Sequence, residues 1–312
     1  MSQNTFHTLW AIDPFSEDQS ALKITDTVLR ALNKRGALTV QPAYVLGPSQ
    51  LNLSMEFASD WVQMLKPAAL QALQSVLKKV KFSDVKPPLV LTHTLPSLRD
   101  ATKTLLQYAS KHKMDLAVVS TQNRKGVPHF FLGSFAENTL HASHIPLLAV
   151  HPKIKAPKKL THEILFATDL SAEGESALHE VLRIAKHFRF ELHLYHQSTS
   201  LLDPILQSAA QLLGGNWMPL QSQFSDSQNA AEKRLKDWAE LSRKAGVKAH
   251  FTLDTKPGPI ANNLKRIAAK RGSFALAVAS SKSSVSSAIL GSLSLQVIKS
   301  ATRPVFVIRP KT

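Results

Sequence analysis

The chain reads as an α/β protein: two tandem copies of one doubly wound domain, each with a five-stranded parallel sheet. Three observations predict this. The closing segment of the first half recurs at the end of the second, the opening segment recurs in the same order, and apolar strand-like runs alternate with helical spacing between them. A chain of 312 residues also suits two domains of about 150 residues each.

The closing repeat is LGSFAENTLHASHIPLLAVHPK at 132–153 against LGSLSLQVIKSATRPVFVIRPK at 290–311, without a gap. Leu132-Gly133-Ser134 faces Leu290-Gly291-Ser292, and Pro146, Pro152 and Lys153 face Pro304, Pro310 and Lys311. The opening repeat is LWAIDPFSEDQSAL at 9–22 against LFATDLSAEGESAL at 165–178, which aligns Asp13 with Asp169. Paired segments in the same order at nearly the same separation indicate a duplicated domain. The expected boundaries are 1–152 and 161–312, joined by a basic linker at 153–160 that contains Lys153, Lys155, Lys158 and Lys159.

Each half parses alike. A short apolar strand comes first, at Thr8–Ile12 and Ile164–Thr168. An Asp follows, a residue suited to capping the free N–H groups of a helix. Helical spacing then appears, as in Ala177, Leu178, Val181, Leu182 and Ala185. Second strands fall near Leu38–Leu46 and Glu191–His196, and long helices at about 59–80 and 226–245. Strand, helix and strand follow at Leu89–His93, Leu98–His112 and Leu116–Ser120, and again at His250–Asp254, Pro259–Lys270 and Ala275–Ser280. A loop, a helix opening at Gly-Ser and a final strand (Pro146–Val150, Pro304–Ile308) close each half. This alternation implies a parallel sheet covered on both faces, with right-handed crossovers.

Composition narrows the function classes. Hydrophobic residues make up 44% and charged residues 19%, with no cysteine, which excludes disulfides, thiolate metal sites and cysteine nucleophiles. No apolar run approaches the roughly 18 to 20 residues of a membrane helix. The start, MSQNTFHTLWAIDPFSEDQ, lacks the basic and long apolar regions of a signal peptide, so a cytoplasmic location is expected. The net charge is +16, a field that attracts anions, but the basic residues are scattered rather than gathered in one block.

The strand–Asp–helix opening and the loop–Gly-Ser–helix–strand closing resemble the universal stress protein family, twice over nearly the whole chain. Ile12-Asp13-Pro14, Asp18-Gln19 and Ala21-Leu22 resemble the tandem members of the E type. The resemblance implies an adenine-nucleotide α-hydrolase-like fold and a domain pairing that tandem members make between their own halves or with a second chain. It also implies a nucleotide site at the carboxyl ends of the strands, the usual ligand position in open α/β sheets. The nucleotide-binding members of the family carry Gly, two residues, Gly, nine residues, then Gly-Ser or Gly-Thr. Such glycines let backbone N–H groups ring phosphates, and the helix start favours anions.

Counted back from Gly133, those first two glycine positions fall on Ser120 and Asn123; Gly126 is displaced from the pattern. Asn tolerates the left-handed turn a glycine would make. In the second half SSKSSVSSAIL holds Lys282 among serines, has no glycine before Gly291, and is two residues shorter. The candidate nucleotide contacts are therefore Asp13, Asn123, Gly126, Gly133 and Ser134 in the first half, and Asp169, Lys282, Gly291 and Ser292 in the second. The loss of phosphate-loop glycines beside intact fold elements points to a non-catalytic stress-response regulatory or binding protein with weak or no ATP binding. Alternatives are an ATP- or AMP-binding switch or slow ATP hydrolase, and an electrostatic binder of anions or nucleic acid. Nucleic acid ranks last for want of a recognition motif. No Walker loop, no H-E-x-x-H, no G-x-S-x-G and no Rossmann fingerprint occurs, and no metal is expected. Residues 200–224, with Gly214-Gly215 as a hinge or helix stop, read as a short covering helix, or as a lid over an apolar pocket or a partner-binding surface.

Overall fold

The computed structural model describes residues 5–16, 19–48, 58–95, 97–120, 134–152, 154, 162–198, 218–280 and 292–309. In the first half the strands are β1 (Phe6–Ala11), β2 (Leu38–Leu46), β3 (Leu89–Thr92), β4 (Leu116–Ser120) and β5 (Leu147–Val150). The helices between them are α1 (Ser20–Asn33), α2 (Ala58–Leu77), α3 (Leu98–Lys111) and α4 (Ser134–Ala142). The second half repeats the plan with β6 (Glu163–Ala167), β7 (Glu191–Gln197), β8 (Ala249–Asp254), β9 (Ala275–Ala279) and β10 (Val305–Ile308). Its helices are α5 (Ala172–His187), α6 (Met218–Lys244), α7 (Ile260–Arg271) and α8 (Ser292–Ser300).

The strands form one ten-stranded sheet in the order β3-β2-β1-β4-β5-β10-β9-β6-β7-β8. Within each half every pair is parallel. The halves join through antiparallel β5 and β10, with Val305 opposite Ala149, Phe306 opposite Leu148 and Val307 opposite Leu147. The central strands are buried throughout, such as EILFA in β6 and LLAV in β5. Strands covered on both faces need such uninterrupted apolar runs. Helices α1, α2, α5 and α6 pack on one face and α3, α4, α7 and α8 on the other, each over its own apolar core.

The junction extends beyond the strand pair. Phe6 packs its ring on His187 (4.7 Å) and Phe188 (5.2 Å), and the His187 imidazole Nε2–H donates to the Ala37 carbonyl (2.9 Å). Gly36 lies directly under His187: a Cβ there would collide with the His187 carbonyl and sit 2.9 Å from its ring. Arg183 reaches across to the Asp115 carboxylate (2.8 Å) and lies over the Phe6 ring (4.6 Å). Arg35 crosses the other way, over Phe190 (4.7 Å). On the far side Arg309 donates to the His141 and Ser143 carbonyls at the end of α4 (both 2.8 Å).

One expected boundary moves. Helix α6 begins at Met218 rather than near 226, so residues 218–224 are helical turns and not part of a separate covering segment. The rest of 200–224, with Gly214-Gly215, lies outside the described residues.

Candidate functional site

Between β1 and β4 the chain connections leave in opposite directions, which opens a crevice at the carboxyl ends of the strands; β6 and β9 do the same in the second half. Asp13 stands two residues past β1. Its carboxylate Oδ1 accepts the Phe15 amide N–H (3.0 Å), which folds the carboxylate back on its own turn. Surrounding protein raises its pKa and the Phe15 amide opposes the rise. The Asp13 side chain still meets solvent, which screens much of that effect. Beside it, burial and secondarily the Asp13 carboxylate push the Tyr44 phenol pKa upward, so that hydroxyl stays protonated. The Phe15 ring meets Tyr44 edge-on at 5.6 Å.

Ser120, at the first glycine position of the family pattern, ends β4. Its hydroxyl lies 3.1 Å from that of Thr25, a buried residue of α1. This side chain is thus tied to a helix of the same half. Ser134 is the first residue of α4 and is exposed. Asn123, Gly126 and Gly133 lie outside the described residues.

In the second half Asp169 Oδ1 accepts from the Ser171 amide (3.0 Å) and the Ser171 hydroxyl (2.6 Å). Ser171, not Asp169, caps α5: its Oγ accepts the Gly174 N–H (3.0 Å). In the first half the cap position is Gln19, without a side-chain cap bond. The helix-capping role expected of the two Asp residues is therefore corrected; both close short turns ahead of the helix. His196 donates from Nδ1 to the Thr168 carbonyl (2.8 Å) and so stands beside Asp169. Ser280 is buried and turned into the sheet, its amide donating to the Ile308 carbonyl (2.8 Å). The Ser294 hydroxyl of α8 donates to the Ala279 carbonyl (2.9 Å). Ser292 opens α8; Lys282 and Gly291 lie outside the described residues.

The strand ends thus bring Asp13 near Tyr44, and Asp169 beside Ser171 and His196. Sequence reasoning missed Thr25, Tyr44 and His196 as neighbours of these sites. Tyr44 and His196 lie at the ends of second strands, where a polar residue in an apolar run is the one available signal. Thr25 gives none, because its contact with Ser120 spans 95 residues. Among the described residues no group of His, Asp and Glu is placed to hold a metal ion.

The model of the universal stress protein family matches residues 7–151 and again 161–309. The chain belongs to the universal stress protein family. A universal stress protein of Methanocaldococcus jannaschii is 31% identical over 97 residues, covering 31% of this chain and 52% of the relative. The match thus spans about half the length of that relative. A universal stress protein from Archaeoglobus fulgidus shares the fold across 100% of both chains, with a TM-score of 0.55 and 18% identity. A protein of unknown function from Pseudomonas aeruginosa does so over 99% of this chain and 94% of its own, with a TM-score of 0.59 and 14% identity. Among the described residues no helix is long and apolar enough to cross a membrane.

Proposed function

We propose that this universal stress protein acts as a non-catalytic regulatory or binding protein of the stress response, with weak or no ATP binding. The observation that carries the reading is the internal engagement of polar groups at the strand ends. Asp13 and Asp169 bind their own turns, Ser120 binds Thr25, and Ser280 binds the sheet. Groups already satisfied within the fold gain less from a ligand. The glycine positions at Ser120 and Asn123, and the serine-rich loop around Lys282, support the same reading. The matched spans 7–151 and 161–309 support a division of the chain at 153–160.

A second reading, an ATP- or AMP-binding switch with at most slow hydrolysis, is favoured by the helix starts. Ser134 and Ser292 each stand at the first residue of a helix beyond the crevice, where backbone N–H groups favour anions. In that reading Asn123, Gly126 and Gly133, or Lys282 and Gly291, would complete the phosphate contacts. The experiment is a melting curve of nucleotide-free protein with and without millimolar Mg-ATP. A ligand that binds only the folded state at 100 times its Kd stabilises by about 2.7 kcal/mol. No shift is expected. A rise of several degrees, abolished by substitution at Gly133 or Gly291, would replace the first reading with the second.

A further inference from the structure

The β5–β10 seam occupies the middle of the sheet, so β3 and β8 are its outer strands. They are finished differently. β3 has four residues, with Pro87 and Pro88 directly before it. Short length and proline blunt an edge against pairing. β8 has six residues, AHFTLD, without proline, glycine or lysine. Among the described residues none pairs with its outer side.

The groups that face outward on β8 follow from its ladder. The Leu192 amide donates to the Lys248 carbonyl (2.8 Å) and the Ser198 amide to the Asp254 carbonyl (3.0 Å). Residues that bond one neighbour alternate along a parallel strand with residues that face the other way. His250 and Thr252 therefore bond β7 with Lys248 and Asp254, and Ala249, Phe251 and Leu253 turn their N–H and C=O groups outward. Helix α6 packs over this strand. Phe251 and Leu253 on the α6 side are nevertheless only part-buried, and His250 on the other side is exposed, so the edge is reachable.

We infer that the β8 edge docks a second copy of this chain, with the two β8 strands antiparallel about a two-fold axis through Phe251. The occupant is selected by the strand's own complementarity. In this register Lys248 stands opposite Asp254 of the second copy, Ala249 opposite Leu253, His250 opposite Thr252, and Phe251 opposite itself. Opposite charges, apolar pairs and aromatic pairs directly across an antiparallel ladder all stabilise it. The outward residues Ala249, Phe251 and Leu253 meet one another, which makes about six backbone hydrogen bonds. Charge fixes the register. A slip of two residues would set Lys248 opposite Lys256, and a slip of one would turn the α6 side of one strand to the other side of its mate. The cations beside the strand are neutralised, Lys248 by Glu191 (2.9 Å) and Arg266 by Asp254 (3.1 Å), so two chains of net charge +16 can approach here. An isologous contact closes at two copies, and the blunted β3 edge stops further growth. The edge is about 20 Å long, shorter than a standard interface, and micromolar association follows.

The test is sedimentation velocity of the full chain from micromolar to submillimolar concentration, against a monomer of 34.3 kDa. Leu253→Pro removes an outward N–H and leaves the β7 ladder intact. Thr92→Pro is the matched control at β3, where the His93 amide bonds Leu46 and the Thr92 amide faces outward. A wild-type monomer–dimer equilibrium is expected, weakened at least tenfold by Leu253→Pro and less than threefold by Thr92→Pro, with circular dichroism reporting the fold of each variant. The chain has no cysteine, so single cysteines test the register without relying on proline. Phe251→Cys should form a disulfide-linked dimer under mild oxidation. Leu253→Cys should not, because its two copies lie about 13 Å apart, beyond disulfide reach. A monomer at every concentration, a dimer indifferent to Leu253→Pro, or equal crosslinking of the two cysteine variants would overturn the inference.

Discussion

Replacing Arg183 by alanine removes three interactions that tie α5 to the first half. The guanidinium donates to the Asp115 carboxylate (2.8 Å) and carbonyl (3.2 Å), and covers the Phe6 ring (4.6 Å). The ion pair joins side chains that are 36% and 28% exposed, so solvent limits it to about 1 kcal/mol. The cation–π contact adds about 0.5–1 kcal/mol, and the hydrogen bond to the Asp115 carbonyl about 0.5–1 kcal/mol. The sum, about 2–3 kcal/mol, corresponds to a fall in Tm of roughly 5–10 °C at 2–4 °C per kcal/mol. Calorimetry of the wild type, Arg183→Ala, Asp115→Asn and the double variant reads both the loss and its coupling. A coupling energy of at least about 0.5 kcal/mol between the two sites is expected. A Tm change under 1 °C, or strictly additive single losses, would refute the assignment of this contact as a clamp between the halves.

Two further outcomes follow from the same geometry. Gly36→Ala should destabilise by about 1–3 kcal/mol, because the new Cβ meets the His187 carbonyl, a backbone atom that cannot rotate away; urea denaturation that leaves the midpoint unchanged would contradict it. His193 is buried, with its pKa pushed down to about 4, first by desolvation and then by Arg271, with Glu163 opposing and His250 adding to the fall. The native state therefore holds this imidazole neutral while the unfolded chain takes up a proton below about pH 6.5. Stability is fully present above that pH and declines toward pH 4, by about 3 kcal/mol at 1.36 kcal/mol per unit. His193→Gln should flatten the stability profile between pH 7 and 5 relative to the wild type; an unchanged slope would show that other groups carry it.

The strands, helices and duplication were legible because each depends on neighbours in sequence. Apolar runs such as LAVVS and EILFA fix buried parallel strands, and the paired Leu-Gly-Ser segments mark the repeat. From those residues alone the family and the five-stranded plan of each half were determined. The antiparallel β5–β10 seam was not, because nothing in LLAV or VFVI says whether its partner lies in the same chain or in another. Only tertiary structure decided the contacts that span long separations: Arg183 on Asp115, Gly36 under His187, and Thr25 on Ser120. It also decided that Ser171, not Asp169, caps α5, a choice between two good caps two residues apart that rests on where the helix backbone begins.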